Sequence, residues 1–302
     1  MSRSLAPVFT SLACLEHDPG AGHPETVLRL PTVLARLREE PGARIINAAP
    51  GDRSHLLRVH PESHLQLLES VSRQGGGPVD SDTILNGRSW GAVLGATGAV
   101  GEGIQHVHSA GEHAFLAIRP PGHHALREKA MGFCLVNNVV VAARLAQSLG
   151  RRQVLIIDWD VHHGNGTQDL VQDDPSVRYV SLHQWPWYPG TGAADERGVG
   201  NLFNVPRPPD LPPGRYVEDL WAAISSATDG WKPDIVLISA GFDAMAGDPL
   251  GGFTLEPEHY AEWTQRLRTH LPEVPILSML EGGYAPHRVA EGVLAHVRAL
   301  AD

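Results

Sequence analysis

Residues 154–168 read VLIIDWDVHHGNGTQ, which sets Asp158, Asp160 and His162 at intervals of two behind a short apolar run. In an extended chain, residues two apart point to the same side, so two carboxylates and an imidazole converge. That convergence is costly unless a cation sits among the groups, and a divalent metal is the simplest one. The Gly164-Asn165-Gly166 turn then lets the backbone pass close to whatever is held there. Three further apolar runs end in residues capable of chemistry. AFLAI (114–118) leads into Arg119-Pro120-Pro121-Gly122-His123-His124, IVLIS (235–239) into Ala240-Gly241-Phe242-Asp243, and ILSML (276–280) into Glu281-Gly282-Gly283-Tyr284.

A catalytic zinc keeps three protein ligands and one open position, and Asp160, His162 and Asp243 can supply the three. Asp158 is then a supporting carboxylate. Hydrolysis at such a centre also needs a base for the attacking water and a donor for the developing oxyanion. Tandem His123-His124 offers the first, and Tyr284 on its Gly-Gly hinge offers the second. His60 and His64 lie four apart at a stretch of helical spacing, but no acidic partner accompanies them in the H-E-x-x-H manner, and they read as a solvated helix face.

These groups need elements to position them. Apolar runs at 7–13, 43–48, 114–118, 154–157, 177–182, 235–239 and 276–280 read as strands. Helical spacing marks 28–38, 61–71, 89–106, 137–149, 216–227, 258–270 and 287–301. Ser89 reads as a helix cap. The glycines at 91, 95, 98, 101 and 103 fall inside a helical pattern, not after a strand, so they predict close helix packing and no dinucleotide site. Residues 75–78 read as a flexible loop, and 206–213 as a short proline-rich connection. Strand–helix alternation without a long linker predicts an α/β fold with one parallel sheet in a single domain, 1–302. In such sheets ligands bind outside the carboxyl ends of the strands, where all these residues fall.

Composition narrows the function classes. The 302 residues carry 24 basic and 34 acidic side chains, a formal net charge of −10, with no basic cluster, so no direct nucleic-acid partner is expected. No apolar run reaches the length of a membrane span, and the first ten residues lack a signal-peptide core. Cys14 and Cys134 cannot form a disulfide framework, so a reducing cytoplasm is expected.

The motifs RPPGHHA, GFC, DWDVHHGNGT, SLH, PGTG, SAGFDA and EGGY, in this order, resemble the signature of the histone deacetylase and acetylpolyamine amidohydrolase family. The likeness runs from about His17 to Tyr284. It implies the arginase–deacetylase fold, an eight-stranded parallel sheet covered by helices on both faces. It implies a zinc-dependent deacylase acting on an N-acetyl-lysine-type amide, with Asp160, His162 and Asp243 as zinc ligands. His124 would be general base and then acid, with His123 assisting. Asp158 would orient His123, Asn165 would contact His124, and Tyr284 would polarise the acetyl carbonyl. Gly132, Phe133 and Tyr188 would line a narrow substrate channel, Tyr188 standing where the family usually has Phe. A structural potassium ion is implied on the backbone carbonyls of Asp158, Asp160, His162 and Leu182 and the side chains of Asp158 and Ser181.

Asn165 and EGGY resemble the class II and bacterial branch. In GFDAMAGDPL, Leu250 occupies the position of the glutamate gatekeeper of polyamine-selective members, so a neutral channel mouth is expected, and an acylated lysine peptide over an acetylpolyamine. A small N-acyl amine amidohydrolase and an inactive acyl-lysine reader are the alternatives. An arginase-like two-manganese hydrolase would need acidic residues where this chain has His and Asn. Nothing in the pattern assigns an oligomeric state.

Overall fold

Val154 to Asp158 are buried at every position, and a run without a polar face is stable only as a strand covered on both sides. The same holds for the segments that end at Ala117, Ala240 and Leu280. The computed structural model describes residues 5–301. The first four residues read for a leader, and the outermost bounds of the 1–302 domain, lie outside the described residues.

In chain order the strands are β1 (Val8–Thr10), β2 (Ile45–Asn47), β3 (Gly76–Pro78), β4 (Ile84–Asn86), β5 (Ala114–Ala117), β6 (Val154–Asp158), β7 (Val177–Gln184), β8 (Leu202–Arg207), β9 (Ile235–Ala240) and β10 (Ile276–Leu280). The helices are α1 (Arg29–Arg38), α2 (Arg53–Leu56), α3 (Glu62–Arg73), α4 (Ser89–Ala110), α5 (Asn138–Ser148), α6 (Asn165–Val171), α7 (Pro213–Thr228), α8 (Pro257–His270) and α9 (Pro286–Ala301). Eight strands form one sheet in the order β2-β1-β5-β10-β9-β6-β7-β8, every pairing parallel. Five consecutive neighbours, β5-β10-β9-β6-β7, therefore send their carboxyl ends to one edge. The chain segments that follow them hold His123 and His124, Tyr284, Asp243, Asp160 and His162, and Tyr188. In register, Asp158 stands beside Ser181 on one side and Ser239 on the other.

Several elements depart from the sequence expectations. The eighth strand, β8, was not readable because Asn204 and Pro206 interrupt its apolar pattern. It lies at the sheet edge, pairing with β7 alone, where proline is tolerated. The expected 75–78 loop is partly a strand, since Gly76–Pro78 pairs antiparallel with Ile84–Asn86. Helix α4 runs on to Ala110, where Gly111 takes φ 68° and closes it. Ser89 is its first helical residue, and its hydroxyl accepts the Asn86 N–H at 2.8 Å. Three of the α4 glycines mark close packing: a Cβ would stand 2.7 Å from Ser11 Oγ at Gly95, 1.8 Å from the Ala49 carbonyl oxygen at Gly98 and 2.7 Å from Leu116 Cδ2 at Gly103, whereas Gly91 faces open space.

His60 and His64 correct the expectation of a solvated face. Both are buried, with rings stacked at 5.0 Å. His60 Nε2 accepts the Asn137 N–H at 2.8 Å, and His64 Nε2 lies 2.9 Å from the Leu135 carbonyl oxygen. The pair braces the segment that carries Gly132, Phe133 and Cys134.

Candidate active site

Strand β6 stops at Asp158, so Asp160 and His162 sit on the following turn and not on the strand itself. Alternation nevertheless persists. Trp159 faces away, stacked on Trp263 at 5.6 Å, while Asp160 and His162 turn toward Asp243. Asp160 Oδ1 lies 3.1 Å and Asp243 Oδ2 3.2 Å from His162 Nδ1, and the three donor atoms lie within 4.8 Å of one another. Backbone amides hold the carboxylates: Val161 N–H to Asp243 Oδ1 and Gly282 N–H to Asp160 Oδ2, both 2.8 Å. Burial, aided by the charge of Asp160, pushes Asp243 up to about 7. A cation between the two removes that repulsion. Glycines leave room for it, since a Cβ on Gly241 would stand 2.2 Å from Asp160 Oδ2 and one on Gly282 2.1 Å from Asp243 Oδ2. Two carboxylates, one imidazole and an open side fit the ligand set of a catalytic zinc.

The tandem histidines follow β5. His123 Nδ1 lies 3.1 Å from Asp158 Oδ2, which also accepts the Tyr179 hydroxyl at 3.0 Å. His124 Nδ1 lies 2.8 Å from Asn165 Oδ1. An amide oxygen only accepts, so His124 carries its proton on Nδ1 and leaves Nε2 with a free lone pair. The rings are 4.0 Å apart, yet their surroundings split them. Burial alone would lower His123, but the charges of Asp160 and Asp158 hold it up at about 10. Burial, then the neighbouring His123 and His162, drive His124 well below its ordinary value. The surroundings thus push the two rings in opposite directions, His123 toward keeping a proton and His124 toward a free acceptor nitrogen, as suits a general base beside a second histidine.

Tyr284 donates its backbone N–H to Asp248 Oδ2 at 2.7 Å, and its ring lies 5.1 Å from the Arg29 guanidinium. Burial and the nearby Asp243 raise its phenol well above 10, so it remains a hydrogen-bond donor. Arg29, fully buried, binds Glu25 Oε1 at 2.8 Å and the carbonyl oxygens of Glu281 and Gly283. Arg119 closes the group with bonds to both Glu25 oxygens.

Gly132, Phe133, Tyr188 and Leu250 line one pocket of about 220 Å³ together with His124, His162 and Tyr284. Tyr188 presents its ring edge-on to His124 at 5.2 Å. Asp82 and Trp187 also line the pocket. Asp82 corrects the expectation of a mouth without counter-charge: its carboxylate is there, with Oδ1 accepting the Gly132 N–H at 3.2 Å. It was missed because it lies 50 residues before Gly132, between the 75–78 loop and the Ser89 helix start, in a stretch with no reading of its own. Ser181 and Leu182 are buried on β7, and the Ser181 hydroxyl lies 2.9 Å from His183 Nδ1. Sequence reasoning also passed over Glu25, Arg119, Tyr179, Asp248 and Glu281. Of these, Arg119, Asp248 and Glu281 lie in the motifs RPPGHHA, GFDAMAGDPL and EGGY, while Glu25 and Tyr179 had no local signal.

A histone deacetylase domain profile matches residues 23–300. An uncharacterized protein of Synechocystis is 39% identical over 98% of this chain and 99% of its own length. A probable deacetylase of Archaeoglobus fulgidus is 35% identical over 93% of this chain and 81% of its own. The crystal structure of the HDA15 HD domain superposes with a TM-score of 0.93 at 36% identity, covering 98% of this chain and 90% of that one. The architecture is the arginase–deacetylase fold, and the chain belongs to the histone deacetylase family.

Proposed function

We propose that the protein is a zinc-dependent deacylase that hydrolyses N-acetyl-lysine-type amides to amine and acetate. The observation that carries this reading is one pocket lined at once by His124, His162 and Tyr284, a base, a metal ligand and a phenolic donor. Held by Asp160, His162 and Asp243, zinc would polarise the scissile carbonyl and acidify water. His124 Nε2 takes the proton from that water and returns it to the leaving amine. Asn165 keeps its other nitrogen protonated, and Asp158 aims the ring of His123 beside it. The Tyr284 hydroxyl donates to the carbonyl oxygen as negative charge develops there. Phe133 and Tyr188 enclose the aliphatic stem of the acylated side chain.

A structural potassium ion is assigned to the carbonyls of Asp158, Asp160, His162 and Leu182 with the side chains of Asp158 and Ser181, the last two supported by their pairing in register. Cys14 and Cys134 are both free and buried, which supports a reducing compartment, the cytoplasm. Asp82 favours a second reading, an acetylpolyamine amidohydrolase, because its carboxylate offers a cationic substrate a partner at the mouth. Side-by-side turnover of acetyl-lysine peptides, acetylpolyamines and longer acyl-lysines tests both, with metal content measured in parallel. Peptide turnover at one zinc per chain supports the deacylase. Two manganese ions per chain, or binding without turnover on any substrate, would remove it.

A further inference from the structure

The Glu281 side chain has no part in the chemistry above, yet it is a fully buried carboxylate and such a group is costly to keep. Its partners are all neutral donors. Oε2 accepts the backbone N–H groups of Gly122 at 2.6 Å and His123 at 3.2 Å, and Oε1 accepts the Ser239 hydroxyl at 3.2 Å. Topology explains the reach. Glu281 directly follows β10, which lies between β5 and β9, so one side chain ties the ends of both neighbours together. Beyond Ala117 the amides of Gly122 and His123 have left the strand ladder, and a buried N–H without an acceptor is costly. The next amide, that of His124, is taken by Cys134 Sγ at 3.4 Å. Three consecutive backbone donors under the tandem histidines are thus held by side chains, two of them by Glu281.

His123, Cys134 and Glu281 could also be grouped as metal donors, since their ligand atoms lie within 4.8 Å of one another. Each is already committed: His123 Nδ1 to Asp158, Cys134 Sγ to the His124 N–H, and Glu281 to the two amides. The cluster is a hydrogen-bonded frame.

We propose that Glu281 is a positioning residue for catalysis, setting the Gly122-His123-His124 backbone so that His124 faces the Asp160–His162–Asp243 site. This rests on the deacylase reading, and its test carries a readout that does not. Glu281→Met keeps the length of the side chain and removes both acceptors. It should lower kcat by about 10²-fold, the scale of a misplaced proton-transfer group, with KM within about twofold and zinc still one per chain. Glu281→Gln keeps one acceptor oxygen for the two amides and should recover kcat to within about fivefold of the unmodified protein. In the zinc-free protein, the imidazole resonances of His123 and His124 should move in Glu281→Met and return in Glu281→Gln, while those of His60 and His64 stay in place.

Unmoved resonances or an unchanged kcat in a folded Glu281→Met overturn the proposal. So does a Glu281→Gln protein as impaired as the Met variant, because charge and not the acceptor would then be what matters. So does a second zinc per chain that is lost on substitution. Should Glu281→Met fail to fold, the Gln variant decides alone, and moved His123 and His124 resonances there reject the role. If the unmodified protein turns over no acyl amine, the deacylase reading fails while the resonances still test the positioning.

Discussion

Asp248 Oδ2 accepts the backbone N–H of Tyr284 at 2.7 Å, while its Oδ1 accepts that of Leu250 at 2.9 Å. One carboxylate thus ties the proposed oxyanion donor to the rim of the channel. The tie reaches the surface, since the Trp187 indole N–H donates to the Leu250 carbonyl oxygen at 2.8 Å. Asp248→Asn turns one of the two acceptors into a donor that faces a donor. A charge-assisted bond is worth about 1.5–3 kcal/mol, so kcat should fall by roughly 10- to 150-fold with zinc retained. Steady-state kinetics with metal analysis check this, and an unchanged kcat would show the tie to be idle.

Metal ligands and the base separate by what they release. Asp160→Asn or Asp243→Asn should lose most bound zinc and activity together, because a neutral amide is a poorer ligand. His124→Ala should keep its zinc and lose about 10²-fold in kcat, and Tyr284→Phe about 10²–10³-fold. Elemental analysis beside turnover numbers distinguishes the two classes. A change confined to KM would make either residue a binding group instead.

Acid should destabilise the fold through histidines outside the chemistry. Burial holds His17, His60 and His183 at about 4 and His296 at about 3, all neutral in the folded protein. Unfolded, each returns to about 6.5. The unfolded state therefore binds more protons between about 4 and 6.5, so their stabilising effect is complete above 6.5 and is lost as pH falls through that window. Each contributes a slope of about 1.4 kcal/mol per pH unit there. Asp243 and Glu281, both raised to about 7, act in the opposite sense in the same window. The histidine contribution is therefore read by difference: by denaturant midpoints, His296→Gln should lose less stability between pH 7 and pH 5 than the unmodified protein, and an unaltered pH dependence would contradict the assignment.

Substrate choice turns on the channel rim. Leu250→Glu adds a second carboxylate to a mouth that already holds Asp82. Its attraction for an ammonium group in a partly desolvated site should be worth about 1–3 kcal/mol. The ratio of kcat/KM for an acetylpolyamine over an acetyl-lysine peptide should then rise by roughly 5- to 150-fold. Asp82→Asn should lower that ratio. Measuring at two ionic strengths removes the long-range pull of the net charge of −10, which salt screens first. If the unmodified protein prefers the acetylpolyamine at both, the amidohydrolase reading replaces the peptide one.

Local chemistry made much of this protein readable in one dimension. The six inner strands of the parallel sheet announce themselves because a doubly covered strand must be largely apolar, and the edge strand β2 was legible from Ile45 and Ile46. Asp158, Asp160 and His162 are legible together because they are sequence neighbours with a period of two, and the motifs around them carry the family likeness. Strand β8 was hidden because an edge strand needs no such run and tolerates Pro206.

Tertiary structure alone decided the contacts between distant segments. His60 and His64 look like a wet helix face until the backbone at 127–137 comes to lie on them. Asp82 reaches the channel mouth across 50 residues, and Glu281 reaches Gly122 across 159. Hydrogen-bond partners of buried backbone amides are set by which strand ends lie side by side, and strand order in a parallel sheet follows from three-dimensional crossovers that no local pattern encodes.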